Sequence, residues 1–190
     1  GGAENHILSL IRCINGGAFR FSIISRMSPE FRLRAEKLGA QVIAQPARNP
    51  LSPAWIADLV NLIQTHKIDL LHIHGPIAAT PGRIAARLAK IPAPVTFHFP
   101  ASRYHGELQT MRARIGRALY VTVDRWLNHL LPGPLIYVSQ VFRQEEIRAG
   151  RAPEGKTLYI PNGINLSACS LPPAPRVPLP LIVLFAGRLS

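Results

Sequence analysis

The sequence predicts an α/β domain built on a Rossmann-like parallel sheet with helices on both faces. Short apolar segments alternate along the chain with longer segments whose apolar residues recur at helical spacing. The short segments are apolar at nearly every position, as expected for strands that are covered on both faces of a sheet. Because parallel strands need long crossover connections, the intervening helices favour a parallel arrangement.

Two Ser-Pro pairs mark helix starts in the first half of the chain. Serine is a good N-cap and proline is tolerated in the first helical turn, so Ser28-Pro29 and Ser52-Pro53 each predict a helix. Gly39 is the stop signal for the first of these two helices. The predicted order is a helix over residues 3–15, a strand over 21–25, a helix from 28, a strand over 41–44 and a helix from 52.

The second half of the chain repeats this alternation and contains the longest predicted helix, over residues 107–131. Strands are predicted over 68–74, 93–99, 135–138 and 157–160, with further helices over 80–88 and from Ser139. A surface helix normally turns its apolar face to the core, so the arginines of the long helix are interpreted as its solvated face. The apolar face comprises Leu108, Met111, Ile115, Leu119, Trp126 and Leu130, and Arg114, Arg117 and Arg125 lie opposite.

The chain is expected to be one part of a larger two-domain enzyme, cut at both ends. Gly1-Gly2 fits a turn between a missing first strand and the first helix. Residues 171–180 contain five prolines, which indicates a stiff linker. The predicted organisation is an N-terminal domain over residues 1–170, a linker over 171–180 and, over 181–190, the truncated first strand of a second domain.

Composition and charge narrow the classes of partner. The net charge of +12, from 22 basic and 10 acidic residues, favours an anionic partner such as a phosphorylated substrate or a membrane surface. Nucleic acid is not predicted, because the arginines are scattered and aromatic residues do not interleave with them. The two cysteines form no disulfide framework, and Cys13 is expected to be a small core residue.

Several polar residues and glycines follow the predicted strands, at the sheet edge where ligands bind in parallel α/β folds. His98 can exchange hydrogen bonds with a sugar hydroxyl as a neutral imidazole, and a structural role is equally compatible with its position. His72 and His74 share one face of their strand but lack a third ligand, so no metal site is predicted. The other candidates are Gly1-Gly2 as a phosphate-binding turn, Gly75, Ser139 as a helix cap or cleft residue, Asn162-Gly163 as a tight turn or cleft residue, and Arg188 as a phosphate ligand.

Several short segments of the sequence, taken in their order along the chain, form a more specific pattern than any one of them alone. The chain contains no GxSxG, P-loop, HExxH or GxGxxG motif, so ATP-dependent phosphoryl transfer and serine hydrolysis have no support. In sequence order it contains GGAE at 1–4, IDLLHIHG at 68–75, PVTFH at 94–98, YVS at 137–139, IPNGIN at 160–165 and FAGRL at 185–189. This succession resembles glycosyltransferase family 4, retaining enzymes of the GT-B fold, over that family's N-terminal, acceptor-side domain and the first strand of its donor-side domain.

The resemblance implies roles for particular residues. The loop at Gly1-Gly2 would approach the diphosphate of the donor, His98 would line the reaction centre as the catalytic residue, and Arg188 would contact the diphosphate from the second domain. Positive charge and N–H groups would assist nucleotide release without a bound metal or other cofactor. His74, Gly75, Ser139, Asn162 and Gly163 are assigned to the acceptor side of the cleft. A lysine and a paired-glutamate motif typical of the family would follow Ser190.

The expected function is transfer of a sugar from a nucleotide-diphosphate sugar to a saccharide or lipid-linked acceptor, with retention of anomeric configuration, as in hexosyltransferases of class EC 2.4. A role in cell-envelope polysaccharide biosynthesis and a cytoplasmic location are expected, with peripheral contact to the anionic inner face of the membrane. The chain alone is expected to be inactive. Two alternatives stay open: a sugar-nucleotide epimerase of the GT-B type and a non-catalytic binding module.

Overall fold

The computed structural model describes residues 2–14, 17–25, 28–44, 49, 51–99 and 111–164. Within these ranges six strands and six α-helices alternate, and every strand pair is parallel. The predicted linker over 171–180, the predicted strand that follows it, Leu108 and Cys169 lie outside the described residues. The parallel α/β prediction is confirmed over the part of the chain that the structure describes.

The strands form two groups. β1 (Ser22–Ser25) pairs with β2 (Gln41–Ala44). The larger group has the order β3-β4-β5-β6, which follows the order of the chain. Its strands are β3 (Ile73–His74), β4 (Val95–Phe97), β5 (Leu135–Tyr137) and β6 (Thr157–Tyr159).

The helices begin close to their predicted starts. Ser28 caps α2, and Ser52 precedes α3 with Pro53 as the first helical residue. The fourth helix begins at Pro76, earlier than predicted, because Gly75 turns the chain with a φ of 81° directly after β3. The bounds are α1 (Gly2–Ile14), α2 (Pro29–Lys37), α3 (Pro53–Thr65), α4 (Pro76–Ala89), α5 (Met111–Leu130) and α6 (Gln140–Arg148), and a short 3-10 helix spans Glu154–Lys156.

Three apolar clusters hold these elements together. The largest lies on the four-stranded sheet, where Val95, Phe97 and Tyr137 are buried. A second joins α1 and α2 to β1 and β2, and a third lies between α3 and α4. Burial of these side chains removes apolar surface from water, which is the main favourable contribution to folding.

The expectation for Cys13 is wrong. Its side chain is exposed, while Leu8 and Ile11 form the buried side of α1. Two residues beyond Ile11 correspond to a rotation of about 200° around the helix axis, so Cys13 points away from the core. Ile14, at the end of the same helix, is also exposed.

The expectation for the long helix is confirmed for its arginines, since Arg114, Arg117 and Arg125 are exposed, but it is wrong for the apolar face, which is exposed as well. Its apolar residues Met111, Ile115, Leu119, Trp126 and Leu130 are between 55% and 69% exposed. The buried side of α5 contains Tyr120, Asp124 and Asn128, spaced four residues apart. The helix is turned this way because α4 presents a buried arginine, Arg83, whose guanidinium bonds to Asp124 and Asn128.

The polar contact between α4 and α5 extends along both helices. Arg83 Nη2 lies 2.5 Å from Asp124 Oδ1, Nη1 lies 2.5 Å from Asn128 Oδ1, and Nε donates to the carbonyl of Ala79 at 3.1 Å. At the other end, the Tyr120 hydroxyl donates to the carbonyl of Pro76. Burial raises the pKa of the Asp124 carboxyl, and the adjacent guanidinium opposes that shift. The two helices are therefore joined mainly by polar and charged groups.

The two Ser-Pro helix starts predict different effects of the same substitution. Ser28 Oγ accepts a hydrogen bond from the N–H of Phe31, whereas the Ser52 side chain makes no capping bond. We expect Ser28→Ala to lower the free energy of unfolding by about 1 kcal/mol. Ser52→Ala, the matched control, should change it by only a few tenths. Chemical denaturation measures both, and equal losses would contradict the capping role.

Candidate active site

The candidate site lies at the carboxyl edge of the four-stranded sheet. β3 ends at His74, and His98 directly follows β4. Because the two strands are parallel and adjacent, with His74 paired to Thr96, their last residues meet at this edge. α1 brings a third imidazole to the same place, that of His6.

Four histidine side chains form one cluster there. His74 Nδ1 and His98 Nε2 lie 3.4 Å apart, within hydrogen-bond distance. The ring of His6 meets both edge-on, with centroid distances of 5.6 Å to His74 and 5.2 Å to His98. His72 lies 4.3 Å from His74 between ring centroids, and its Nε2 forms a 2.8 Å hydrogen bond with Thr96 Oγ1. We call these four residues the histidine cluster.

Burial keeps the histidine cluster neutral. It lowers the pKa of each of the four imidazoles, and that of His74 falls to about 3 because its neighbours His72, His98 and His6 add to the effect of burial. The pKa of His98 is lowered by burial first and by His6 and His72 second. A neutral imidazole has one donor and one acceptor nitrogen, which matches the two roles of a sugar hydroxyl.

Gly75 and the start of α4 complete the edge next to His74. The N–H of Gly75 donates to the carbonyl of Thr96 at 3.0 Å, and its φ of 81° favours glycine over other residues. The turn therefore brings the N-terminus of α4, with its free N–H groups, to the same edge as the histidine cluster. Tyr120 holds this N-terminus through its bond to Pro76.

The other predicted site residues are distributed around this edge. Ser139 caps α6, since its Oγ accepts from the N–H of Phe142 at 3.5 Å, so the interpretation as a helix cap is confirmed. Asn162 and Gly163 are exposed in the segment that follows β6, on the strand farthest from β3 in the sheet order. Gly2 is the first residue of α1, with open space around the position of a Cβ. Gly1 and Arg188 lie outside the described residues.

Sequence reasoning missed His6. The residue belongs to the second turn of α1, and a helix that starts at the carboxyl edge keeps its first turns close to that edge. This position was a usable signal, because it places the side chain within reach of the residues that follow β3 and β4. The apolar stripe that predicts this helix, which includes Ile7, Leu8 and Ile11, lies on a different side of α1 from His6.

The described ranges contain no group of three or more histidine, cysteine, aspartate or glutamate side chains arranged to hold a metal ion. Among the helices that the structure describes, none combines the length and the apolar character needed to cross a bilayer.

The histidine cluster predicts a loss of stability at mildly acidic pH. The pKa of His74 is lower in the folded protein than the unfolded value of 6.5, so below that pH the unfolded state binds more protons. Stability therefore falls as the pH decreases from 6.5 towards 3. For His74 we expect a contribution of about 2 kcal/mol at most between pH 7 and pH 5.

Denaturation of the wild type and of His74→Asn at both pH values measures this contribution. The variant cannot gain the proton, so its unfolding free energy should decrease less between pH 7 and pH 5. Equal decreases in the two proteins would show that His74 does not titrate in this way.

Comparison with known proteins agrees with this architecture. The sequence profile of Glycosyltransferase Family 4 matches residues 1–168. A phosphatidyl-myo-inositol mannosyltransferase of Mycobacterium leprae is 26% identical over 198 residues, which cover 99% of this chain and 49% of that protein. The chain thus spans about half the length of this relative.

Solved structures show the same fold. A glycosyltransferase from Rickettsia africae has a TM-score of 0.70 at 16% identity, covering 91% of this chain and 43% of its own. Anabaena HepE in complex with UDP and glucose has a TM-score of 0.67 at 20% identity, covering 92% and 44% respectively. The parallel α/β architecture matches these GT-B glycosyltransferases, and the profile covers most of the chain. The chain belongs to glycosyltransferase family 4.

Proposed function

We propose that the intact protein transfers a sugar from a nucleotide-diphosphate sugar to a saccharide or lipid-linked acceptor, with retention of anomeric configuration. The observation that carries this proposal is the histidine cluster at the carboxyl edge of a parallel sheet in a family 4 chain. In the reaction, the bond between C1 of the donor sugar and the diphosphate breaks. The hydroxyl oxygen of the acceptor forms its bond to C1 on the same face, which retains the configuration, and the proton of that hydroxyl leaves with the departing diphosphate.

The neighbours support the choice of substrates. Anabaena HepE has been solved with UDP, with UDP and glucose, and with UDP-glucose, which favours a nucleotide-activated hexose as the donor. The mycobacterial relative is named for mannose transfer to a phosphatidyl-linked acceptor, which favours a hexosyltransferase with a lipid-linked acceptor. A role in building cell-envelope polysaccharides, at the cytoplasmic face of the membrane, fits both substrates.

We assign the roles of individual residues as the resemblance to the family implies. His98 exchanges hydrogen bonds with a hydroxyl at the reaction centre, because its ring is neutral and only half-buried. In this proposal the Gly1-Gly2 segment approaches the diphosphate from this domain, and Arg188 approaches it from the second domain. Leaving-group charge is thus stabilised by N–H groups and a cation, without a metal. The acceptor side of the cleft comprises His74, Gly75, Ser139, Asn162 and Gly163.

A product assay with the intact protein tests the proposal. We expect turnover of at least one nucleotide hexose only when a lipid-linked or saccharide acceptor is added, and an anomeric proton coupling in the product equal to that in the donor. Inverted coupling would contradict retention. Interconversion of the nucleotide sugar without acceptor would favour the epimerase, and donor binding without turnover would favour the binding module. Residues 1–190 expressed alone should show no transfer, since much of the donor site is assigned to the second domain.

A further inference from the structure

The helix α5 differs from an ordinary amphipathic surface helix because its apolar side is exposed. Five large apolar side chains lie within about 100° around the helix axis, because they follow one another at steps of four or seven residues. Each of these side chains is more than half exposed. Isolated large apolar residues are common at protein surfaces, but a continuous row of them is not. We define this docking face by Met111, Ile115, Leu119, Trp126 and Leu130.

The charged side chains beside the docking face are of one sign. Arg114 and Arg125 are exposed and lie about 60° and 40° around the helix axis from Met111, next to the apolar row, whereas Arg117 is exposed on the opposite side. Asp124 is the sole acidic residue in the sequence of α5, and it is buried against Arg83. The exposed surface of α5 therefore combines an apolar row with cations and carries no carboxylate. Such a surface complements a bilayer with anionic headgroups, and Trp126 is the residue type that prefers the boundary between headgroups and acyl chains.

The helix α5 extends past the edge of the sheet at which the candidate site lies. Tyr120 contacts Pro76 at the carboxyl edge of the sheet, and α5 ends shortly before β5 begins at the amino edge. The helix therefore runs antiparallel to the strands, and Met111, nine residues before Tyr120, extends about 13 Å past that edge. Residues 114–119 are all exposed, as a projecting segment requires. The projecting half of the docking face thus lies on the same side of the molecule as the histidine cluster.

A second copy of the chain is a poorer occupant of the docking face. Two such faces packed together would bring the arginines of both copies near one another, with no exposed carboxylate on either helix to compensate. An anionic bilayer satisfies both the apolar row and the arginines at once.

We propose that the docking face of α5 inserts into the headgroup region of an anionic lipid bilayer and presents the candidate site to acceptors held in that bilayer. Met111, Ile115 and Leu119 enter the boundary of the acyl chains, and the adjacent arginines, Arg114 and Arg125, contact the lipid phosphates. This inference rests on the proposed membrane location of the transfer reaction and identifies the surface that provides it.

Co-sedimentation of the intact protein with lipid vesicles tests the proposal. We expect binding to phosphatidylcholine vesicles that contain phosphatidylglycerol, weaker binding to pure phosphatidylcholine, and release at high salt, because screening weakens the arginine contacts. The double variant Ile115→Ser with Leu119→Ser should bind at least about tenfold more weakly, since each methylene lost from the bilayer weakens partitioning about fourfold. Arg114→Gln with Arg125→Gln should lose the additional binding to anionic vesicles and keep the weaker binding to pure phosphatidylcholine.

Two controls match these variants. Leu33→Ser removes an equally exposed leucine from α2, and Arg12→Gln removes an exposed arginine from α1, and both should bind vesicles as the wild type does. Transfer to a short-chain, water-soluble acceptor should be unchanged in all of these variants, so failure of docking and failure of the proposed reaction give different results. Wild-type binding by the Ile115/Leu119 variant would overturn the proposal. A wild-type dimer that this variant converts to a monomer, with vesicle binding unchanged, would instead assign the face to self-association.

Discussion

Replacing His98 with alanine in the intact enzyme is expected to reduce kcat by about 10²–10³-fold, the usual effect of removing one polar group that stabilises a transition state. The expectation follows from the geometry of the histidine cluster. The His98 side chain is partly exposed, and its Nε2 lies within hydrogen-bond distance of His74 Nδ1, so the ring is oriented while part of it faces solvent. Removal of the ring deletes a hydrogen-bonding group at the reaction centre.

Folding should be almost unaffected by the same change, because the apolar cluster on the sheet comprises other residues. Measurement of kcat at saturating donor and acceptor, together with the thermal unfolding midpoint, separates the two effects. His66→Ala is the matched control, since His66 ends α3 at the opposite edge of the sheet and should keep full activity. A His98→Ala protein that fails to fold would return His98 to a structural role, and one with unchanged kcat would remove it from the reaction centre.

The parts of the fold that could be predicted from the sequence are those governed by neighbouring residues. Ser28-Pro29 and Ser52-Pro53 mark helix starts because capping and the fixed φ of proline act within one turn. Strand positions were predicted to within a few residues, although only Ile73–His74 of the predicted segment 68–74 pairs as a strand. His74 and His98 were predicted at one edge because the carboxyl ends of parallel strands lie at the same edge of a sheet, and the structure confirms this.

The orientation of α5 could not be predicted in the same way. Periodicity shows that a helix has two different faces, but the neighbouring element decides which face is buried. Here Arg83 on α4 requires a carboxylate, and Asp124 supplies it from the polar side of α5. The two residues are 41 positions apart, so no local pattern connects them. His6 was not singled out from the sequence although its position near the start of α1 was a usable signal, because the residues that it contacts, His74 and His98, are far from it along the chain.

The contact between Arg83 and Asp124 predicts the largest change in stability. Both side chains are buried, with exposed fractions of 3% and 5%. Asp124→Ala would leave the guanidinium without its counter-charge inside the protein, and loss of one partner from such a pair typically costs about 3–5 kcal/mol. The total stability of a domain of this size is about 5–15 kcal/mol, so the variant should be close to unfolding. Chemical denaturation at pH 7 provides the measurement.

Two further variants distinguish an unpaired charge from a simple loss of contacts. Arg83→Met combined with Asp124→Leu removes both charges, so the double variant should be more stable than Asp124→Ala alone. Arg32→Ala breaks the exposed pair with Glu36 on α2, whose side chains are 54% and 40% exposed, and should cost less than about 1 kcal/mol. A double variant as unstable as the sum of its single changes would show that Arg83 and Asp124 act independently. The polar side of α5 would then need another reason for facing inwards, and the outward position of its apolar row would lose its structural explanation.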